Sequence, residues 1–221
     1  NKNFGRGVIF WGEHLKNDFK FKNNKKLHFI EKKKIKIFFS LPKFIFNSFF
    51  IKIFNSLYYY LNYFKKQNNI VDYDKFFYPL DSLLNWNNLY GKEGFIQYQC
   101  VVPKKKNILN ILKIFKNSNI KSFLVTIKIL KKDKGLLSFP IKGYTLAFDI
   151  PNGKHNLDLI NDLNEIILKS KGRIYLTKDS LMNETLFKKI YKNNLNKFKK
   201  IIRTKKNRQI FESLQSSKLG I

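Results

Sequence analysis

The stretch GFIQYQCVVP, residues Gly94 to Pro103, decides the reading of this chain. Ile96, Tyr98, Cys100 and Val102 alternate with Gln97 and Gln99, the period-two pattern of a half-buried strand. Two long amides at i and i+2 lie on the same side of it, where they either meet water or line a polar pocket. Downstream, Ile108, Ile111, Leu112 and Phe115 fall at i, i+3, i+4 and i+7 and predict a helix over 104–117. SFLVTIKIL predicts a strand over 122–130, and a further strand spans 143–150. Leu159, Leu163, Ile166 and Ile167 stripe a helix over 155–170, and RIYLT predicts a closing strand over 173–177. The order β-α-β-β-α-β predicts an α+β fold: an antiparallel sheet of ferredoxin-like order with helices on one face. No tandem repeat is evident beyond this two-fold echo.

Alternation assigns two faces to each strand. Phe123, Val125, Ile127 and Ile129, with Tyr144, Leu146, Phe148 and Ile150, form an apolar face to hold the helices. Thr126, Lys128, Thr145, Ala147 and Asp149 join Gln97 and Gln99 on the other. Amides, hydroxyls, an ammonium and a small residue suit a hydroxyl-rich ligand such as a sugar. Read from the residues alone, the same face is also what a solvated antiparallel sheet presents. In so Lys-rich a chain, however, a merely solvated face should carry more Lys.

The rest of the chain is less regular. Residues 1–34 read as short strands and turns ending in Lys32-Lys33-Lys34. A helix running from Pro42 to about Phe64 carries Phe44, Phe49, Ile51, Ile53, Phe54, Leu57, Tyr58 and Leu61. Pro79 breaks DYDKFFYPLDSLLNW, and Asp81 or Ser82 can cap a short helix with Leu83, Leu84 and Trp86. After residue 178, Asp179 or Ser180 can cap a helical segment striped by Phe187, Ile190, Tyr191, Leu195, Phe198, Ile201 and Ile202.

Of 221 residues, 43% are hydrophobic and 16% aromatic, enough for a true core and unlike a disordered basic tail. The formal net charge of +29 invites a nucleic-acid reading. Among the 44 basic residues, though, the Arg are Arg6, Arg173, Arg203 and Arg208, and Lys supplies the rest. Bidentate recognition of bases and phosphates favours Arg, so charge spread over solvated faces is the better reading. Attraction to anionic headgroups or a phosphorylated substrate is the lesser alternative. The one Cys, Cys100, excludes a disulfide framework within the chain and points to a reducing compartment. His14, His28 and His155 lack metal-ligand spacing, so no metal is expected. The Phe-rich stretch from Ile35 to Phe64 is interrupted by Lys36, Pro42, Lys43 and Lys52; no apolar run is long enough to span a bilayer. It suits a buried helix or one lying on a membrane surface. The start at Asn1, with no signal sequence, reads as a piece of a longer protein.

Several collinear motifs, GRGVIFWG, FFYPLDSLLNWNNLYGKEGFIQYQCVVP, LLSFPIKGYTLAFDIP, GRIYLTKDS and FESLQSSKL, carry a resemblance covering nearly the whole chain. Through them the sequence resembles the FAD-dependent oxidases of the vanillyl-alcohol-oxidase type, in the branch of the decaprenylphosphoryl-β-D-ribose 2'-oxidases. The shared C-terminal module is that of D-arabinono-1,4-lactone oxidase. The resemblance implies a flavin domain that precedes this chain and holds most of the FAD. It implies a substrate domain at residues 1–172 and a return of the chain to the flavin domain at 173–221. It places Gln97, Gln99 and Lys128 among substrate-binding groups, with Thr126, Thr145, Ala147 and Phe77 around them. Lys178 matches a catalytic lysine near the flavin, and Tyr175 a flavin-side aromatic. Without the resemblance, Lys178 reads as a surface residue paired with Asp179, and Tyr175 as core packing.

The implied reaction is oxidation of a secondary hydroxyl of a sugar, or of a lipid-linked phospho-sugar, to a ketone by hydride transfer to flavin. A reductase partner completing an epimerisation and a peripheral place at the inner face of the membrane, on the cytoplasmic side, go with it. Three departures stand out. Phe77 replaces a pocket Tyr and removes a hydroxyl. Thr145 and Ala147 stand where mycobacterial members have Asn and Cys, so an electrophile aimed at that Cys meets a methyl group. Lys206-Asn207 replaces a frequent Asp-Pro. The sugar-1,4-lactone oxidases remain an alternative, although their His-Trp-x-Lys motif is missing here. Readings of another class are a basic RNA- or ribosome-associated protein, which would bind RNA tightly and salt-dependently, and a non-enzymatic membrane-surface remnant.

Overall fold

The computed structural model describes residues 7–15, 34–40, 42, 48–65, 70–78, 80–118, 120, 122, 124–153, 156–179, 181–203 and 212–221. The expectations placed on residues 16–33, Pro79, Phe123, His155, Ser180 and Lys206-Asn207 lie outside them. The chain divides into two compact units, Asn1–Gly91 and Lys92–Ile221.

In the first unit, strand β1 (Ile35–Lys36) pairs in parallel with β2 (Leu83–Leu84). The short helix expected around Leu83 and Leu84 is therefore a strand. Ile35 N–H donates to Ser82 O and Ile37 N–H to Leu84 O, so the β1 backbone supplies partners that a helix would have found locally. Asn85 then turns with φ 59°, and a 3-10 turn covers Trp86–Tyr90. Helix α1 (Ser48–Tyr63) is followed by the short α2 (Tyr73–Phe77). Of the two readings of α1, the buried one does not hold among the described residues: Phe49, Ile53, Phe54, Leu57 and Leu61 are all exposed. Residues 7–15 form no strand.

The second unit runs β3 (Phe95–Val102), α3 (Lys105–Asn117), β4 (Val125–Leu130), β5 (Gly143–Pro151), α4 (Asn156–Lys169), β6 (Arg173–Ile174), α5 (Glu184–Arg203) and α6 (Leu214–Leu219). Its four strands form an antiparallel sheet in the order β4-β5-β3-β6. Strands β4 and β6 are shorter than the sequence suggests. Tyr175 extends the β6 pairing by one bond, its N–H donating to Gln99 O at 2.9 Å, before the chain turns.

One face of the sheet carries the core. Tyr98, Cys100, Val102, Leu146, Phe148 and Ile150 pack with Ile108, Ile111, Leu159, Leu163 and Ile167 of α3 and α4. Phe187, Tyr191, Leu195 and Leu219 of α5 and α6 join the same cluster. Phe115 stacks on Phe148 with centroids 4.1 Å apart. The Tyr98 hydroxyl donates to Asn164 Oδ1 at 2.9 Å, giving the buried phenol its partner. On β4 the alternation is read correctly but the burial is not. Val125, Ile127 and Ile129 lie opposite Phe148, Leu146 and Tyr144, yet are 42%, 48% and 79% exposed. As an edge strand, β4 lies beyond the cover of the helices among the described residues.

Asp179 is not the cap of α5. Its carboxylate accepts from Leu181 and Met182 N–H, while Asn183 Oδ1 accepts from Leu186 N–H at 2.8 Å, as an N-cap does. At Gly143 the backbones of β5 and β3 approach so closely that an added Cβ would lie 2.3 Å from Val102 O and 3.0 Å from Pro103 Cα. Gly143→Ala is expected to destabilise by roughly 1–3 kcal/mol through overpacking, read as a lower urea midpoint with an unchanged m-value.

Candidate functional site

The register converts the other face of the sheet into a grid. Gln97 lies opposite Asp149. In the next row Thr126, Ala147 and Gln99 stand side by side, with Tyr175 beyond Gln99 through its backbone bond. The third row is Lys128, Thr145, Val101 and Arg173. Gln97, Gln99, Thr126, Lys128, Thr145, Ala147 and Tyr175 thus occupy one face, because each strand contributes alternate residues to it.

The polar groups are engaged with each other. Gln97 Nε2 donates to Asp149 Oδ1 at 2.8 Å. Gln99 Nε2 donates to Thr145 Oγ1 at 3.1 Å, and Thr145 Oγ1 donates to Cys100 O at 2.9 Å. Asp149 and Thr145 are 2% and 3% exposed, whereas both Gln are only half-buried. The layer next to the backbone is thus hydrogen-bonded within itself, and the amides stand above it. Lys128 is exposed on the edge strand.

At the β6 end the loop 131–142 folds over the sheet. Arg173 Nη1 donates to Ser138 O, and Phe139, itself buried, packs its ring 4.6 Å from that of Tyr175. Tyr175 therefore combines a packing contact with a place on the polar face. Lys178 sits three residues on, in a turn closed by its own N–H to Tyr175 O at 3.2 Å. Its side chain is exposed and makes no ion pair among the described residues. The expected pairing with Asp179 is not made: that carboxylate faces backbone N–H groups, and burial raises its pKa above the ordinary value. Phe77 belongs to the first unit, half-exposed, with its ring 4.8 Å from Tyr73 and 6.2 Å from His14.

Asp149 and Arg173 are site neighbours that the strand pattern alone does not single out. Asp149 sits on the correct face by alternation, but its pairing with Gln97 depends on the β3–β5 register, which no local pattern encodes. The described residues contain no His/Cys/Asp/Glu cluster able to hold a metal, and no helix among them is long and apolar enough to cross a membrane.

Cys100 faces the core and not the site. It is fully buried, and burial pushes its thiol from the ordinary 9.0 to about 12. The folded state thus keeps a proton that the unfolded state releases, so this group's contribution to stability falls as pH rises from about 9 toward 12. Urea midpoints measured upward from pH 9 are expected to drop more steeply for the wild type than for Cys100→Ala. Identical slopes would show that the thiol is not desolvated.

No protein-family model matches the chain. Over 128 residues, 57% of its length, it is 32% identical to decaprenylphosphoryl-beta-D-ribose oxidase of Mycolicibacterium smegmatis. The match spans 28% of that protein's length. This chain is thus related, over the matched part, to the oxidase family represented by that enzyme.

Proposed function

We propose that this chain is part of an FAD-dependent oxidoreductase that oxidises a secondary hydroxyl of a sugar, or of a polyprenyl-phospho-sugar, to a ketone. The observation that carries the proposal is the coincidence of the 32% identity to a sugar-lipid oxidase with a sheet face on which Gln97, Gln99, Lys128 and Tyr175 lie in adjacent rows. FAD, held mainly by sequence outside this chain, supplies the hydride acceptor. The set of polar groups suits such a reaction: amides and a flexible ammonium for a polyhydroxylated ligand, and at the rim a second ammonium with no competing ion pair among the described residues.

In this reading the sheet is a ferredoxin-like floor for the sugar, and residues 173–221 carry the chain back toward the flavin. Gln97 and Gln99 hold ligand hydroxyls, with Thr126 beside them. Ala147, between Gln99 and Thr126, leaves room for the ring. Lys128 attracts a phosphate or a hydroxyl. Lys178 stabilises the negative charge that arrives with the hydride, a role that preorganised cations perform best where water is excluded. A reductase that takes up the ketone, and a membrane surface that presents the lipid, are the partners that go with this substrate.

The test is anaerobic mixing of the purified flavin-loaded protein with a polyprenyl-phospho-pentose while the yellow flavin absorbance is followed. Bleaching is expected. A protein that never acquires flavin but binds RNA with a steep salt dependence would replace this reading with the nucleic-acid one.

A further inference from the structure

We infer that Asp149 and Thr145 set the polarity of the site: they turn Gln97 and Gln99 so that both amides present carbonyl oxygens, making the floor selective for ligands that donate hydrogen bonds. The inference rests on the sugar-oxidase reading and specifies what that site accepts.

The argument follows from counting protons. The Thr145 hydroxyl has one hydrogen and gives it to the Cys100 carbonyl at 2.9 Å, an acceptor that cannot reciprocate. Its oxygen is left only to accept, so Gln99 must turn its NH2 toward it, as the 3.1 Å bond has it. A carboxylate likewise accepts only, so Asp149 draws the NH2 of Gln97 at 2.8 Å. In each amide the nitrogen is turned to the sheet with one N–H committed there, and the carbonyl oxygen, turned away from the directing group, is the main group offered to a ligand, with the second N–H beside it. Both directing groups are almost wholly buried while the amides they direct are half-buried. Turning either amide over would set its oxygen against an acceptor inside the sheet, an arrangement that leaves a buried group unsatisfied. The two Gln are two residues apart on β3, roughly 7 Å along the strand. The floor is therefore a pair of spaced acceptors, matched to O–H groups on separate carbons of one ring. Asp149 and Thr145 act through the Gln residues as positioning groups.

The experiment compares a methyl pentofuranoside with its fully O-methylated ether, whose oxygens only accept. Binding to the protein is followed by the side-chain carbonyl carbon shifts of Gln97 and Gln99. The wild type is expected to bind the sugar at least about tenfold more tightly than the ether, the equivalent of one hydrogen bond lost. In Asp149→Asn, which gives Gln97 a partner of either polarity, and in Thr145→Val, discrimination is expected to shrink to within about threefold. Thr145→Ser should restore it. A merely structural role would weaken both ligands together. Equal binding of sugar and ether by the wild type, binding of neither, or discrimination unchanged in both variants would overturn the inference. Because binding is read without flavin reduction, a protein that discriminates as expected but never bleaches keeps the inference and loses the oxidase reading.

Discussion

Replacing Lys178 with Ala is expected to slow flavin reduction by a sugar substrate about 10²–10³-fold, the usual loss when one preorganised donor to developing charge is removed. Substrate affinity should change far less, because the sugar hydroxyls are assigned to Gln97, Gln99 and Lys128. Stability should hardly move. Lys178 is exposed, and its backbone N–H, which closes the turn onto Tyr175 O, survives the substitution; surface changes of this kind fall within about 0.5 kcal/mol. Lys178→Arg keeps the charge on a broader, planar group and should recover part of the rate. Rates equal to wild type for Lys178→Ala would remove this residue from the chemistry.

The second large effect concerns stability. Phe187→Ala is expected to cost about 3–5 kcal/mol, a large share of the 5–15 kcal/mol typical of a whole domain. Phe187 is fully buried and belongs to the same cluster as Phe148, Leu146 and Ile174 of the sheet. Helix α5 is also tied to β6 by polar contacts: Tyr191 OH donates to Ile174 O at 2.9 Å, and the Arg173 guanidinium lies 5.6 Å from the Tyr191 ring centroid. Residues on both sides of position 172 thus share one packed unit, Lys92–Ile221. A thermal transition unchanged by Phe187→Ala would mean that the C-terminal helices do not fold with the sheet.

What the sequence made legible was whatever alternation or helical spacing controls locally. Gln97 and Gln99 against Tyr98 and Cys100, and Ile108 with Ile111 on α3, are assigned correctly because each pattern lies within one element. Leu83 and Leu84 are misread because their strand exists only through Ile35 and Lys36, far away in the chain. Ile127 and Ile129 are placed on the correct face, but their exposure depends on where β4 stands in the sheet order. On the polar face of the sheet, the residue types were legible and the bonds were not. That Gln97 meets Asp149, and that Thr145 is engaged with Cys100 O rather than turned to a ligand, are consequences of register.

The most direct test is single-turnover flavin bleaching with a polyprenyl-phospho-pentose deuterated at one ring carbon at a time. Hydride transfer from a carbinol predicts slower bleaching when the label sits at one particular carbon, with one ketone formed there per flavin reduced. Bleaching indifferent to every label, or reduction with no ketone formed, would contradict the account.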